Sequence, residues 1–190
     1  MQYIKRGRQY TFDGFEVTKF NSKAFDAAKK FAENADSKPL ALFGGTATGK
    51  THLLYAVKNM IEQNEPKLTV ILTTAAEMRT SLVNTLQNDG TAEQFREKYM
   101  QADVLLVDDI QELARKKAIQ NELILLFNWF YESGKRFMMT SSKKEANCGM
   151  RSRLVIRSFW GDFAVISKAY IHAQFPSDHG RTEIRNTLLE

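Results

Sequence analysis

A chain of 190 residues with 43% apolar and 26% charged residues can bury one full hydrophobic core and is short for two. No apolar run reaches the roughly 20 residues of a membrane span, and no apolar segment follows the basic N-terminus, so we expect a cytoplasmic protein with no membrane partner. The net charge of +5 suits nucleic acid or a phosphorylated ligand, and equally an ordinary solvated basic surface. The single cysteine, Cys148, forms no internal disulfide, which fits a reducing compartment.

Apolar spacing predicts helices and strands in alternation. In chain order these are helix 22–33, strand 40–43 ending at Gly44, helix 51–63, strand 68–73, helices 75–87 and 92–100, strand 104–107, helix 118–133 and strand 137–140. Short apolar strands that alternate with helices predict an α/β fold, a three-layer α/β/α sandwich with a parallel five-stranded sheet. Ligands of such folds bind at the carboxyl ends of the strands. Regular periodicity fades after about Ser142.

One segment matches the phosphate-binding pattern G-x-x-x-x-G-K-[ST] without a mismatch, and it reads Gly44, Gly45, Thr46, Ala47, Thr48, Gly49, Lys50, Thr51. The glycines allow a tight turn whose N–H groups point at phosphate oxygens. Lys50 places a charge on the β- and γ-phosphates, the Thr51 hydroxyl is a Mg²⁺ ligand, and the following helix adds its positive dipole end. Because the match lies between a predicted strand and a predicted helix, we interpret it as a site for ATP or ADP with Mg²⁺.

A second motif is the apolar strand that ends in Asp108 and Asp109. Alone, two acids after a strand more often mark a turn. Together with a P-loop, the pattern predicts that Asp108 helps to hold Mg²⁺ and that Asp109 orients an attacking water. Lys50, Asp108 and Asp109 are therefore the candidate catalytic residues.

The sequence resembles the AAA+ ATPase domain of the bacterial replication initiator DnaA family, which includes Hda and the helicase loaders. The similarity lies in residues 10–17 (YTFDGFEV) with Asn21, in the P-loop with the following His52, and in residues 103–111 (DVLLVDDIQ). It is good from about residue 10 to 142 and weak beyond. The resemblance implies that Val17, Asn21 and His52 belong to the nucleotide site, with the N-terminal segment beside the base.

The resemblance also implies partners. In DnaA, helices matching residues 75–100 and the loop after the acidic motif contact single-stranded DNA in a nucleotide-dependent filament. The matching positions here are Val83 and Lys116. Helix packing for Val83 and a solvated charge run for Lys116 are the alternatives.

Two departures from the family pattern, and one further similarity to it, bear on activity. Ser142 stands where DnaA usually has a sensor acid. Arg157, or else Arg153, lies in a stretch similar to the one that supplies an arginine finger in trans, and an ordinary surface arginine is the alternative. We assign residues 1–175 to the AAA+ core and 176–190 to a tail or lid remnant, so we expect little or no helical lid.

These observations lead to one main hypothesis and two alternatives. We predict an ATP- or ADP-binding, DnaA-like AAA+ protein that acts in DNA replication initiation or its regulation, with slow or no hydrolysis on its own and nucleotide-dependent homo-oligomers. Asp109 is shorter than the glutamate of most AAA+ enzymes, which favours weak hydrolysis. The alternatives are a helicase-loader-type ATPase and a non-hydrolytic regulator that binds a DnaA-like partner.

Overall fold

The computed structural model describes residues 10–142 and 162–166. Five α-helices lie in this part of the chain, namely α1 Ser22–Glu33, α2 Lys50–Asn64, α3 Ala75–Gln87, α4 Ala92–Met100 and α5 Lys117–Glu132, together with a 3₁₀ helix, Ile110–Leu113. The strands are β1 Leu40–Gly44, β2 Val70–Thr74, β3 Val104–Asp108, β4 Arg136–Ser141 and β5 Asp162–Ile166. None of the helices described is long and apolar enough to cross a membrane.

The five strands form one parallel sheet in the order β2-β3-β4-β1-β5, which confirms the predicted sheet. The strand that leads into the P-loop, β1, lies between β4 and β5. The strand that ends in the acidic motif, β3, lies on the far side of β4 from β1. Any contact between the P-loop and Asp108 therefore passes over the carboxyl end of β4.

Alternating side chains of the central strands enter two separate hydrophobic cores. Leu40 and Leu42 of β1 pack with α1 and α2 on one face of the sheet, while the intervening Ala41 and the following Phe43 belong to the other face. In β3, Leu106 faces the first core, and Leu105 and Val107 face the second, which α3, α4 and α5 cover. Helices on both faces make the three-layer sandwich that the apolar strands predict.

The structure shifts some predicted boundaries and adds two elements. The second strand begins at Val70 rather than at Leu68, because Leu68 closes a turn onto the Glu65 carbonyl and the Thr69 N–H donates to the Asp103 carboxylate. The 3₁₀ helix after Asp109 was not predicted, and neither was the position of the fifth strand, β5. β5 pairs with β1, with Leu40 opposite Asp162 and Gly44 opposite Ile166.

Candidate nucleotide site

The P-loop is wound tightly around the Lys50 side chain. Ala47 and Gly49 both have positive φ, 59° and 90°, so the loop turns sharply into α2. The Lys50 ammonium donates to the Gly45 carbonyl oxygen at 2.7 Å and lies 3.5 Å from Thr48 Oγ1. Thr48 Oγ1 also donates to the Gly45 carbonyl, at 2.9 Å. The loop therefore has a defined shape in which the lysine amine lies inside the turn, beside the N-terminus of α2.

Burial sets the electrostatics of Lys50. Only 5% of the residue is exposed, and this desolvation lowers its pKa, while the negative charges of Asp109 and Asp108 act in the opposite direction. An ammonium group with few water contacts gains from further anionic oxygens nearby. The site is thus poised for a phosphate group.

Asp108 connects the P-loop to the sheet. Its Oδ2 accepts a hydrogen bond from Thr51 Oγ1 at 2.8 Å, and its Oδ1 accepts a short one from Thr140 Oγ1. Thr140 belongs to β4, the strand between β1 and β3, so it fills the gap between the two motifs. Burial raises the pKa of Asp108, although the hydroxyl groups of Thr140 and Thr51 and the charge of Lys50 counteract that rise and Asp109 adds to it.

The donor set at this point fits Mg²⁺. The Thr51 hydroxyl and the Asp108 carboxylate supply hard oxygen atoms side by side, as Mg²⁺ prefers. In residues 10–142 and 162–166, no group of three or more His, Cys, Asp or Glu side chains forms a self-sufficient metal cage. A cation held here would therefore complete its octahedral shell with phosphate oxygens and water, which is the usual arrangement for Mg²⁺ with a nucleotide.

Asp109 adopts a backbone conformation that few non-glycine residues adopt. Its φ is 56°, and its N–H donates to Thr140 Oγ1 at 3.0 Å. Its Oδ1 accepts a hydrogen bond from the side-chain amide of Gln111 at 2.9 Å, and the carbonyl oxygen of the same amide accepts from the Ser142 N–H at 2.8 Å. The two acids thus have different surroundings: Asp108 is held by hydroxyl groups and Asp109 by an amide.

The N-terminal segment packs onto the start of α2 through aromatic rings. His52 Nε2 lies 2.8 Å from the Thr11 carbonyl oxygen, which can only accept, so Nε2 carries the proton. Its ring lies 4.8 Å from the Tyr10 ring and 5.1 Å from the Phe15 ring, measured between centroids. The same Phe15 ring covers Gly49, where an added Cβ would lie 2.6 Å from Phe15 Cε2.

Asn21 and Val17, which the resemblance assigns to the nucleotide site, have different roles in the structure. Asn21 is fully buried, and its amide is used within the chain, since Nδ2 donates to the Glu16 carbonyl and Oδ1 accepts from the Thr18 N–H. Val17 lies within the segment that Asn21 shapes and is 48% exposed. Asn21 therefore fixes the conformation of the segment that presents Val17, and nucleotide contact by Val17, Asn21 or His52 stays a prediction.

The remaining predicted residues are distributed as follows. Thr46 and Ala47 are exposed at the tip of the P-loop, and Gly44 and Gly45 are half-buried below it. Val83 is 44% exposed on α3, and the exposed Lys116 donates to the Glu112 carbonyl just before α5. Arg157, Arg153 and the proposed tail 176–190 lie outside the described residues.

Three residues contribute to the site without having been predicted from the sequence, namely Thr140, Gln111 and Phe15. Thr140 and Gln111 act through hydrogen bonds that depend on how β3, β4 and the 3₁₀ helix lie relative to one another. The polar end of the apolar β4 was the available signal for Thr140. Phe15 contacts Gly49 only because the N-terminal segment returns to the P-loop, which no local pattern indicates.

Replacing Asp108 by asparagine tests the cost of this buried carboxylate. Asparagine keeps the shape, its amide can donate to the Thr51 hydroxyl, and a neutral group avoids the desolvation that raises the pKa of Asp108. We expect Asp108→Asn to melt several degrees above the wild type at pH 7 without nucleotide, since 1 kcal/mol moves the Tm of a domain this size by about 2–4 °C. Nucleotide binding should lose its magnesium dependence.

The sign of the pH dependence follows from the direction of the shift. The folded-state pKa of Asp108 lies above its ordinary value of 3.8, so ionisation costs stability at any pH above the folded-state pKa. This cost disappears as the pH falls through the folded-state pKa towards 3.8. The stability of Asp108→Asn relative to the wild type should therefore decrease over the same pH interval. Calorimetry across this range, with Glu112→Gln as an exposed-carboxylate control, makes the measurement. A variant no more stable than the wild type at pH 7 would contradict the prediction.

Several known proteins are similar to this chain in sequence. Residues 7–164 match the family model of the bacterial DnaA ATPase domain. The chromosomal replication initiator protein DnaA of Thermotoga petrophila is 35% identical over 184 residues, which are 95% of this chain and 40% of the relative. The chain thus spans less than half the length of this curated relative.

Solved structures show the same relationship. Domain III of the Thermotoga maritima replication initiation protein DnaA superposes with a TM-score of 0.79 at 35% identity, over 83% of this chain and 67% of the other. A replication initiator DnaA bound to AMPPCP and single-stranded DNA superposes with a TM-score of 0.76 at 32% identity, over 83% and 50% of the two chains. The family-model match over residues 7–164 and these relatives therefore identify this chain as a member of the bacterial DnaA ATPase domain family.

Proposed function

We propose that this chain binds ADP or ATP with Mg²⁺ at the P-loop and acts in the initiation of DNA replication or its regulation, with slow hydrolysis at most. One observation carries the proposal: Thr51 and Asp108, which lie 57 positions apart, meet at 2.8 Å beside a buried Lys50. A structural role alone would not require a buried ammonium and a buried carboxylate at the same edge of the sheet, because burying two charges costs free energy.

The residues divide the chemistry between them. The P-loop N–H groups and the N-terminus of α2 would hold the α- and β-phosphates, and Lys50 would exchange the Gly45 carbonyl for phosphate oxygens. Mg²⁺, held at Thr51 and Asp108, would neutralise charge on the phosphates. Asp109 would orient the attacking water. Hydrolysis would be slow because Asp109 is short, Ser142 replaces an acid, and Arg157 would act only on a neighbouring subunit's nucleotide.

A nucleic-acid partner is the second part of the proposal. Val83 lies on α3, which packs against the 3₁₀ helix, and Lys116 follows that helix, so the two exposed side chains lie on neighbouring elements. The related DnaA that was solved with AMPPCP also holds single-stranded DNA. We infer that Val83 and Lys116 contribute to single-strand binding when several nucleotide-bound subunits line up, mainly through phosphate contacts.

Titration calorimetry with ADP and ATP, with and without Mg²⁺, tests the nucleotide site, and ADP should bind at least as tightly as ATP. A second arm measures the anisotropy of labelled oligo-dT with and without ATP at low and physiological salt. Binding of oligo-dT should need ATP and weaken steeply with salt. The affinity should fall in Lys116→Glu, because the loss of a phosphate contact lowers both the affinity and its salt dependence. Absence of nucleotide binding contradicts the whole proposal. Nucleotide binding without oligo-dT binding contradicts only its second part.

A further inference from the structure

Gln111 occupies a position in the site for which the nucleotide motifs give no function. It lies half-buried in the 3₁₀ helix directly after the paired acids. Its Nε2 donates to Asp109 Oδ1 at 2.9 Å, and its Oε1 accepts from the Ser142 N–H at 2.8 Å. One side chain therefore joins the carboxylate that follows β3 to the backbone that follows β4.

The hydrogen bonds fix the orientation of this amide. The Ser142 N–H can only donate, so it must face the oxygen of Gln111, and the NH₂ group then faces Asp109. A carboxylate is the stronger acceptor when it is ionised, so the Gln111–Asp109 bond is charge-assisted. The same contact pattern would not form with the amide reversed.

Asp109 also depends on this support because of its backbone. With φ at 56°, it lies in the left-handed region, and its N–H is held by Thr140 Oγ1. Thr140 thus fixes the main chain of Asp109, while Gln111 fixes its side chain. Among residues 10–142 and 162–166, no other side chain is hydrogen-bonded to the Asp109 carboxylate. Without Gln111 the carboxylate could rotate about its own side-chain bonds.

We propose that Gln111 is a positioning residue, which holds one oxygen of Asp109 so that the other is presented to the water that attacks the γ-phosphate. The inference rests on the proposed function, because it gives Asp109 the water-orienting role. Gln111 itself needs no contact with the nucleotide. Its loss should therefore spare ground-state nucleotide binding and weaken only the interactions that involve the attacking water.

The experiment measures two quantities for each variant: the Kd of Mg·ADP alone and the Kd of Mg·ADP with aluminium fluoride, which mimics the transferring phosphoryl group with its water. Single-turnover hydrolysis of ATP with protein in excess is the third readout. The variants are Gln111→Ala, Asp109→Ala and the double variant. Gln111→Glu keeps the shape and the acceptor for the Ser142 N–H, and it replaces the donor to Asp109 by a carboxylate oxygen that repels the Asp109 carboxylate. Glu112→Gln on the same 3₁₀ helix, at an exposed position, is the control.

We expect Gln111→Ala and Gln111→Glu to bind Mg·ADP like the wild type and to bind the aluminium fluoride complex about tenfold more weakly, the value of one charge-assisted hydrogen bond. Asp109→Ala should show the same loss, and the double variant no more than Asp109→Ala alone. Two results would overturn the inference and leave the proposed function intact. In one, Gln111→Glu binds the aluminium fluoride complex as tightly as the wild type while Asp109→Ala binds it more weakly. In the other, the losses of affinity in Gln111→Ala and Asp109→Ala add up in the double variant. If Asp109→Ala binds the aluminium fluoride complex like the wild type, or if aluminium fluoride does not change the affinity of the wild type for Mg·ADP, Asp109 does not orient the water and the inference is wrong.

Discussion

Lys50→Ala should weaken the binding of ADP and ATP by about 100-fold while leaving the nucleotide-free protein as stable as the wild type. The loss of affinity follows from the removal of charge-assisted hydrogen bonds to phosphate, each of which contributes about 1.5–3 kcal/mol. Stability should persist because the buried ammonium is itself costly, as the lowered pKa of Lys50 indicates. The Gly45 carbonyl also keeps the hydroxyl of Thr48 as a donor.

Thermal unfolding with and without ADP measures both effects in one experiment. Ligand at 100 times its Kd adds about 2.7 kcal/mol to the folded state, which corresponds to an increase in Tm of about 5–10 °C for a domain of this size. The wild type should show this increase and Lys50→Ala should not. Lys58→Ala is the matched control, because Lys58 lies on the same helix and pairs with Glu62 at the surface. Equal ADP-induced increases in Tm in Lys50→Ala and Lys58→Ala would show that Lys50 does not contribute to ADP binding.

The phosphate end of the site could be predicted from sequence because its geometry is local. Eight consecutive residues form the P-loop, and the strand before it and the helix after it both follow from apolar spacing. The contact between Thr51 and Asp108 could also be predicted from the sequence, because parallel strands bring their carboxyl ends to one edge of the sheet. The order of α-helices and strands up to β4 is also predicted correctly, because it follows from local apolar spacing.

The contacts that the sequence did not reveal all depend on tertiary position. Thr140 bridges the two acids only because β4 lies between β1 and β3, and strand order cannot be read from apolar periodicity. Gln111 reaches both Asp109 and Ser142 because the chain turns into a 3₁₀ helix instead of continuing as a loop. Strand β5 is as long as β1, β2 and β3, but it follows a stretch of sequence without regular apolar periodicity, so no alternation of helices and strands indicated its position.

Gly49→Ala should reduce nucleotide affinity by about 100-fold, as Lys50→Ala does, but through the backbone and with a loss of stability. Gly49 has a φ of 90° at the N-terminus of α2, where an alanine is strained by about 1–2 kcal/mol. Its Cβ would also lie 2.6 Å from Phe15 Cε2 and 3.1 Å from Phe15 Cζ. The loop must therefore shift, and its N–H groups lose their common direction towards the phosphates.

Gly134 provides a matched control for the backbone strain alone. Its φ is 65°, and it follows the C-terminus of α5, far in sequence from the P-loop. Among the described residues, no heavy atom beyond its chain neighbours lies within 4 Å of a Cβ added there. Gly134→Ala should lose about 1 kcal/mol of stability and keep full affinity for ADP, whereas Gly49→Ala should lose more stability and its affinity as well. Chemical denaturation and calorimetric titration of the two variants measure these differences.

The contact with Phe15 can be separated from the strain by a double-mutant cycle. Phe15→Ala should destabilise the wild type, because its ring packs on Phe25 and His52, but should be less harmful, or even helpful, in the Gly49→Ala background, where it relieves the clash. The positive φ remains in the double variant, so ADP affinity should stay low. If the stability losses of the two single variants add up in the double variant, the Phe15 ring does not clash with the Cβ that Gly49→Ala adds. Recovery of full affinity would mean that sterics, rather than the left-handed backbone, make glycine necessary at this position.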